Sequence, residues 1–186
     1  MSPILKKALY FAAQKHDGQY RKGGRVPYFA HPVQVAFGVS MYTNDEEILA
    51  AAFLHDVLED CPGVSIRLLR KEFGNRIAQI VSEMTLVRGN KRTTWQQKKK
   101  TYLKKIKVAS KDTLIIVAVD KMINLQAYFD ALESRGQEMA HYFSGTPDGY
   151  QWYYTEIAKI LTSKLGKHPA TKDYIAKWRL YKKENL

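Results

Sequence analysis

The amino-acid sequence predicts an all-α protein, built as a single bundle of about eight to nine helices. Helix-capping residues and Gly or Pro breaks recur along the chain, and the apolar residues between them follow helical spacing. Only the β-branched run Leu114–Val119 resembles a buried strand. Because no second candidate strand exists to pair with it, we expect a helix there as well. With 186 residues, 45% of them hydrophobic, the chain can bury one core.

Prolines mark the starts of the first two helices. Ser2 and Pro3 form a typical N-cap and first-turn pair, so the first helix is expected to begin there. Residues 17–30 contain three glycines and one proline, which is the composition of a loop. A second helix is expected to open at His31-Pro32.

Capping residues and glycines bound the third and fourth helices. Asn44 or Asp45 can cap the third helix, which we expect to continue to the Cys-Pro-Gly break at 61–63. Ser65 can cap the fourth helix, and Gly74 is expected to end it.

The rest of the chain predicts further helices separated by polar loops. Asp112 can cap the helix that includes the run 114–119. The expected elements are, in order, a helix over 76–84, a polar loop over 85–93, a basic helix over 95–108, a helix from 112 to about 129, a loop over 145–149, and helices over 150–165 and 171–183. Residues 1–186 are therefore expected to form one domain.

Cysteine content and hydropathy exclude several classes of protein. The single cysteine, Cys61, excludes an intrachain disulfide framework and a cysteine-rich zinc site. The apolar run Leu114–Val119 has six residues, far below the roughly 20 that span a bilayer. Since no apolar signal-peptide core precedes Lys6-Lys7, we expect a cytoplasmic protein with no membrane partner.

The net charge of +12 is concentrated in one part of the chain. Residues 1–60 carry six basic and seven acidic side chains, whereas residues 88–111 carry ten basic side chains and no acidic one. Such a segment attracts polyanions, such as nucleotides, nucleic acid or a membrane surface. A solvated helix face would have the same composition, so charge alone names no partner.

The segment Phe53–Asp60 carries the densest set of chemically reactive side chains. On a helix, residues three and four apart are neighbours, so His55, Asp56, Glu59 and Asp60 would lie on adjoining faces. An imidazole and three carboxylates within an otherwise apolar helix are costly unless they are paired or bind a cation. The pattern indicates a divalent metal ion, with a water-exposed helix end as the alternative.

Two further side chains fit the same metal site. His31 lies at the expected start of the second helix, and Asp120 lies inside an otherwise apolar helix, where a carboxylate needs a partner. A salt bridge to Lys121 is the alternative for this carboxylate. Together with His55 and Asp56 they make a two-His, two-Asp set, which suits Mn²⁺, Mg²⁺, Fe²⁺ or Zn²⁺.

The order of these motifs resembles that of the HD metal-dependent phosphohydrolase superfamily. The segments that carry the resemblance are His16–Pro32, Leu54–Asp60 and Val119–Leu125. They are most similar to the hydrolase domain of the RelA/SpoT alarmone enzymes, and they follow the same order within residues 5–130. Because 186 residues leave no room for a synthetase domain, the chain looks like a stand-alone small alarmone hydrolase. Residues 131–186 would supply C-terminal helices that complete the fold.

The resemblance implies a metal-dependent reaction. One Mn²⁺ would be held by His31, His55, Asp56 and Asp120, a set that also suits Fe²⁺ or Zn²⁺. Glu59 and Asp60 would position or deprotonate the attacking water. The implied reaction removes pyrophosphate from the 3′ position of (p)ppGpp, an alarmone of the stringent response, and gives GDP or GTP.

The resemblance also implies substrate contacts. Arg21 and Lys22 would meet the phosphates or stack on the base, and Asn124 would hydrogen-bond the nucleotide. Lys98 and Lys99 lie in a segment similar to the basic helix near the substrate in small alarmone hydrolases. Lysine is a point charge that suits phosphate but lacks the bidentate fork of arginine.

Other functions stay open on the sequence alone. An HD phosphohydrolase acting on another nucleotide, such as (p)ppApp, NADPH or a nucleoside monophosphate, would have the same metal site. A nucleic-acid-binding protein that uses residues 88–111 is a third alternative. The oligomeric state and the choice between guanine and adenine are not predicted.

Overall fold

A computed structural model describes residues 1–21, 25–86, 93–135 and 145–184. Within these ranges the chain forms helices and no named strand, so the all-α prediction is confirmed. The helices are α1 (Pro3–Lys15), α2 (Ala30–Ser40), α3 (Glu46–Leu54), α4 (Val57–Asp60), α5 (Ile66–Met84), α6 (Trp95–Ile106), α7 (Lys111–Arg135), α8 (Pro147–Leu165) and α9 (Pro169–Glu184). Among the described residues, none of these helices has the length and apolar character needed to cross a bilayer.

Capping residues set the starts of several helices. Ser2 occupies the N-cap position of α1, as the sequence predicts. The Asp45 carboxylate accepts hydrogen bonds from two backbone N–H groups in the first turn of α3, and the Ser65 hydroxyl accepts one in α5. Thr94 and Gln97 form a reciprocal capping box at the start of α6.

The third predicted helix is interrupted, and the prediction of a continuous helix to residues 61–63 is wrong. α3 ends at Leu54 and α4 begins at Val57, with His55 and Asp56 between them. His55 and Asp56 keep right-handed helical backbone angles in this gap. Their side chains meet there, with His55 Nε2 3.1 Å from Asp56 Oδ2.

The start of α7 also differs from the prediction that Asp112 caps it. The helix begins at Lys111, and the Ser110 hydroxyl accepts the hydrogen bond from the Thr113 N–H. The Asp112 carboxylate instead pairs with Arg76 of α5 at 2.7 Å. Serine and aspartate are both good N-caps, so local sequence does not distinguish them.

One further boundary departs from the sequence-based expectation, and another agrees with it. α8 begins at Pro147, inside the segment 145–149 predicted as a loop, because Thr146 caps the helix through the Gly149 N–H. Gly74 agrees with the prediction: its backbone is non-helical, with φ +84° and ψ 173°, so α5 consists of two helices that meet at a kink there.

α7 packs against α2, α3, α5, α8 and α9. Its run Leu114–Val119, which is ambiguous in the sequence, is helical and buried. A Cβ atom at Gly38 of α2 would lie 2.6 Å from Val119 Cγ1, so these two helices approach at a distance that only glycine permits. This close packing brings His31 of α2 towards Asp120 of α7.

The loop after α1 is held against the end of α4 by a polar cluster. The Gln19 amide donates to the Asp60 carbonyl at 3.2 Å, and its oxygen lies 2.8 Å from His16 Nδ1. The Cys61 sulfur lies 3.5 Å from the same ring nitrogen. Burial, together with nearby Asp60, raises the pKa of this thiol to about 11. The cluster fixes the loop that leads to Tyr28.

Candidate functional site

Four side chains from separate parts of the chain meet beside α7. His31 lies in the first turn of α2, His55 and Asp56 lie between α3 and α4, and Asp120 lies in the middle of α7. Asp56 is partly exposed, and the other three are buried. The two imidazole rings are 5.2 Å apart between centroids and nearly perpendicular.

The distances within this cluster are those of one shared site. His31 Nε2 lies 3.0 Å from Asp120 Oδ1 and 3.7 Å from Asp56 Oδ2. His55 Nε2 lies 3.1 Å from Asp56 Oδ2 and 3.8 Å from Asp120 Oδ1. Ligand atoms of His31, His55 and Asp56 all lie within 4.8 Å of one another, which makes them a candidate metal-binding group.

The orientation of the His55 ring fits the binding of a cation. Its Nδ1 lies 2.8 Å from the Ala52 carbonyl and is therefore the nitrogen that donates. Its Nε2 is buried and has no hydrogen bond among the described residues, although it faces the carboxylates. If a cation displaced the proton of Nε2, an imidazole held in this way would present its electron pair to that cation.

The electrostatics of the cluster also favour positive charge. Burial lowers the pKa of His55, but the carboxylates of Asp56 and Asp120 outweigh it and raise the pKa to about 9. Burial raises the pKa of Asp120, but the Lys121 ammonium and the two histidines bring that pKa well below its usual range. Ionised carboxylates therefore line a buried site, and such a site attracts a proton or a metal ion.

Asp120 uses both of its oxygens. Oδ1 faces the histidines and accepts a hydrogen bond from the Asn124 amide at 2.5 Å, whereas Oδ2 lies 2.5 Å from the Lys121 ammonium. The ammonium also lies 4.8 Å from the centre of the Tyr102 ring. The salt bridge that the sequence offers as an alternative to metal binding is thus present, and it leaves the other oxygen directed at the cluster.

Tyr28 is a site residue that the sequence-based argument did not single out. Its hydroxyl donates to Asp56 Oδ2 at 2.7 Å and lies 3.2 Å from Asp60 Oδ2. Burial raises the pKa of Tyr28 well above its usual value, so the hydroxyl keeps its proton and acts as a donor. The available signal is its place three residues before His31, since a tyrosine buried beside a polar motif needs a partner.

Glu59 and Asp60 lie on α4 and line a cavity of about 160 Å³ that also contains the two histidines. Glu59 Oε2 accepts a hydrogen bond from the Leu86 N–H at 3.0 Å. Burial raises the pKa of Glu59, and the nearby carboxylates of Asp56 and Asp60 add to the rise.

A second, larger cleft of about 850 Å³ adjoins this cavity. The two share several lining residues, among them His31, Glu59, Asp60, Lys99 and Lys121. Its wall includes the aromatic rings of Trp95, Tyr128, Tyr150 and Tyr153. A cleft of this size can hold a small-molecule ligand.

Three of the residues predicted to contact substrate line this cleft. They are Arg21, Asn124 and Lys99. The Arg21 guanidinium lies 3.3 Å from the Asn124 side-chain oxygen, and the Lys99 ammonium lies 4.6 Å from the centre of the Tyr153 ring. Lys98 is exposed and lines neither cavity. Lys22 and part of the basic segment 88–111 lie outside the described residues.

Comparison with known proteins gives a family and a set of relatives. A family model described as the HD domain matches residues 8–144. A probable guanosine-3′,5′-bis(diphosphate) 3′-pyrophosphohydrolase from Synechocystis is 34% identical over 137 residues, covering 72% of this chain and 18% of that protein. A guanosine-3′,5′-bis(diphosphate) 3′-pyrophosphohydrolase from Borreliella burgdorferi is 28% identical over 173 residues, covering 90% of this chain and 26% of that protein. The chain thus spans about a fifth to a quarter of the length of these curated relatives.

Two solved structures resemble the fold. One is described as a metazoan ortholog of SpoT that hydrolyses ppGpp; it superposes with a TM-score of 0.75 at 25% identity, covering 100% of this chain and 98% of the other. A protein from Listeria monocytogenes superposes with a TM-score of 0.68 at 24% identity, covering 81% of this chain and 97% of the other. The second likeness concerns the fold alone.

Proposed function

Because the chain belongs to the HD domain family, we propose that it is a metal-dependent phosphohydrolase that removes the 3′-pyrophosphate of (p)ppGpp and releases GDP or GTP. The observation that carries the proposal is the convergence of two histidines and two aspartates at one end of a cleft lined by Arg21, Lys99 and Lys121. The reaction named for the curated relatives and for the metazoan SpoT ortholog supports this choice of substrate.

The proposed resident metal is Mn²⁺, with Fe²⁺ or Zn²⁺ as ions that the same ligands accept. Its proposed ligands are His31, His55, Asp56 and Asp120. When bound, a divalent ion supplies a water of lowered pKa and neutralises phosphoryl charge. Support comes from His55, whose Nε2 is buried without a hydrogen bond among the described residues while Nδ1 is held by a carbonyl.

Two carboxylates are proposed to handle the proton of the attacking water. Glu59 and Asp60 line the cavity beside the histidines. The Tyr28 hydroxyl lies between Asp56 and Asp60. It therefore orients both the carboxylate of Asp56, a proposed metal ligand, and that of Asp60, a proposed acceptor of the water proton. A raised pKa makes Glu59 a better proton acceptor than an exposed glutamate.

Charged and polar groups of the larger cleft are proposed to bind the nucleotide. Arg21 and Lys99 would meet phosphate oxygens through charge-assisted hydrogen bonds, and Asn124 would bind the sugar or the base. Lys22 and Lys98 stay predictions of the sequence, as does a cytoplasmic location. The whole chain 1–186 is proposed to be one HD domain, which the packing of α8 and α9 against α7 supports.

The test is an activity assay with three substrates. The purified protein is incubated with ppGpp, ppApp and NADPH, with and without Mn²⁺, and the products are separated by ion exchange. We expect Mn²⁺-dependent release of pyrophosphate from ppGpp. Asp56→Ala should abolish it, whereas Asp17→Ala, an exposed aspartate outside the cluster, should not.

Three results would contradict the proposal. Full activity of Asp56→Ala would exclude the site. Turnover of ppApp or NADPH without turnover of ppGpp would be consistent with the proposed metal site but would show that the proposed substrate is wrong. Tight, salt-dependent RNA binding that survives Asp56→Ala, with no hydrolysis of any nucleotide, would favour the nucleic-acid alternative for residues 88–111.

A further inference from the structure

Two glycines at the start of α8 lie directly against the indole ring of Trp95. A Cβ atom at Gly145 would lie 2.8 Å from Trp95 Cε2 and Cζ2 and 2.9 Å from Tyr150 Cε2. One at Gly149 would lie 3.0 Å from Trp95 Cζ3 and 3.1 Å from Thr146 Oγ1. Carbon atoms in contact are normally about 3.5–4.0 Å apart. Neither glycine has a positive φ, so what requires glycine at these positions is crowding by neighbouring side chains, with Trp95 the nearest at both.

Trp95 connects this contact to the cleft. It is the first residue of α6, where a capping box fixes the start of the helix. Its ring is 5.0 Å from that of Tyr150 and 6.1 Å from that of Tyr153, both on α8. Lys99 follows one helical turn later, and its ammonium lies 5.7 Å from the Trp95 ring and 4.6 Å from the Tyr153 ring.

We propose that Trp95, held between Gly145 and Gly149, is a positioning residue for the nucleotide. It fixes α6 against α8 so that the Lys99 ammonium stays at the cleft, and this role rests on the function proposed above. A lysine side chain has four rotatable bonds, and an aromatic platform that restrains it lowers the entropy lost when it binds phosphate.

The geometry predicts an unusual response to one substitution. Gly→Ala within a helix ordinarily stabilises a protein, but a methyl group at Gly149 would push on Trp95. The Trp95 atoms that face the two glycines all belong to the six-membered ring of the indole. Trp95→Phe shortens the side chain and removes those atoms, so it should make room for the alanine.

The test is a cycle of three variants: Gly149→Ala, Trp95→Phe and the double substitution. Asp148→Ala, an exposed residue on the same turn, is the matched control. We expect Gly149→Ala to raise KM for ppGpp about tenfold, the loss of one charge-assisted contact, with kcat within about twofold. Its Tm should fall by about 2–4 °C.

The double variant separates positioning from direct contact. We expect its KM to return to within about twofold of that of Trp95→Phe, and its Tm to be no lower than that of Trp95→Phe. A double variant whose KM is as high as that of Gly149→Ala would overturn the proposal. An unchanged KM in Gly149→Ala would overturn it as well. Both results would leave hydrolysis by the unmodified protein, and hence the proposed function, intact.

A wild-type protein that does not hydrolyse ppGpp would instead refute the proposed function. The same four proteins are then compared by calorimetric titration with pyrophosphate, the group shared by the alarmone substrates. A rise in Kd in Gly149→Ala that Trp95→Phe reverses would support the positioning role. Equal Kd values in all four proteins would overturn it.

Discussion

At the scale of single residues, two side chains of the cluster beside α7 contact the cluster with one atom and a supporting group with another. His55 donates from Nδ1 to a backbone carbonyl and turns Nε2 to the carboxylates, and Asp120 divides its oxygens between the histidines and Lys121. Second partners of this kind fix the orientation of groups that bind a metal. Substitutions of the residues that hold the proposed ligands therefore test the site and leave all four ligands in place.

Tyr28→Phe is the most conservative of these tests. It removes only the hydroxyl that donates to Asp56 and approaches Asp60. We expect the Kd for Mn²⁺ to rise about tenfold, the usual effect of losing an outer-shell hydrogen bond, as measured by calorimetric titration. Tyr20→Phe, at a tyrosine that is 62% exposed, should leave the Kd unchanged. An unchanged Kd in Tyr28→Phe would show that the hydroxyl does not orient Asp56.

The sequence predicts some of these residues and misses others for a physical reason. His31, His55, Asp56 and Asp120 are polar residues in otherwise apolar segments, and that conflict is visible locally. Tyr28 and Asp56 are 28 residues apart in the sequence, and nothing in the pattern of either segment indicates that they are in contact. A hydrogen bond between segments appears only once the helices are packed.

At the scale of single elements, the start of α3 combines a cap with ion pairs. The Asp45 carboxylate accepts two backbone N–H bonds, and Arg76 lies 2.7 Å from it and 2.7 Å from both Glu47 and Asp112. Exposed ion pairs contribute little, whereas a cap contributes about 1 kcal/mol. The cap should therefore dominate.

Two substitutions at Asp45 separate these contributions. Asp45→Ala should lower the free energy of unfolding by about 1 kcal/mol, measured by urea denaturation. Asp45→Asn keeps a capping oxygen and removes the charge, so its free energy of unfolding should fall by only about 0.3 kcal/mol. Equal losses in the two variants would show that the ion pair with Arg76, and not the cap, holds the start of the helix.

The contacts of Glu83 at the junction between α5 and α7 predict that the stability of the fold depends on pH. Burial raises the pKa of Glu83, but hydrogen bonds from Thr113, Ser110 and Gln79 outweigh it and lower the pKa below its usual value. A carboxyl whose pKa is lower in the folded state stabilises the fold above its unfolded pKa, and that contribution is lost as the pH falls through the folded pKa.

Glu83→Gln tests this dependence. The variant should be less stable than the unmodified protein at pH 7, and the difference between their urea midpoints should shrink as the pH is lowered below about 4.5. A difference that does not change with pH would mean that the ionised carboxylate contributes no more than a neutral acceptor. Asn75→Ala, at an exposed residue of the same helix, should show no such trend.

At the scale of the whole molecule, the proposed metal ligands join separate helices. They come from α2, from the α3–α4 junction and from α7. An ion that binds only the folded protein stabilises it by about 2.7 kcal/mol when its concentration is a hundred times its Kd. Stripping the metal with a chelator should therefore lower Tm by about 5–10 °C, and Mn²⁺ should restore it.

Asp56→Ala is the control for this thermal shift. The variant lacks a proposed ligand, so its Tm should be insensitive to chelator and to added Mn²⁺. A shift of equal size in the variant would show that the ion acts elsewhere on the molecule. An unmodified protein that does not respond at all would contradict the proposed metal site.

The class of fold is predictable from the sequence because caps and breaks act locally. Asp45 and Ser65 cap their helices through contacts within three residues. The interruption between Leu54 and Val57 is not predictable in this way, because the surrounding residues favour a continuous helix.

The buried Cys61 has a consequence for experiments on this molecule. It is the sole thiol in the sequence, it is 5% exposed, and its pKa of about 11 leaves only about one molecule in a thousand as thiolate near pH 8. Maleimides and related electrophiles react with thiolates, so the folded protein is nearly inert to them. A cysteine introduced on the surface would therefore accept a fluorophore or spin label selectively, without prior removal of the native one.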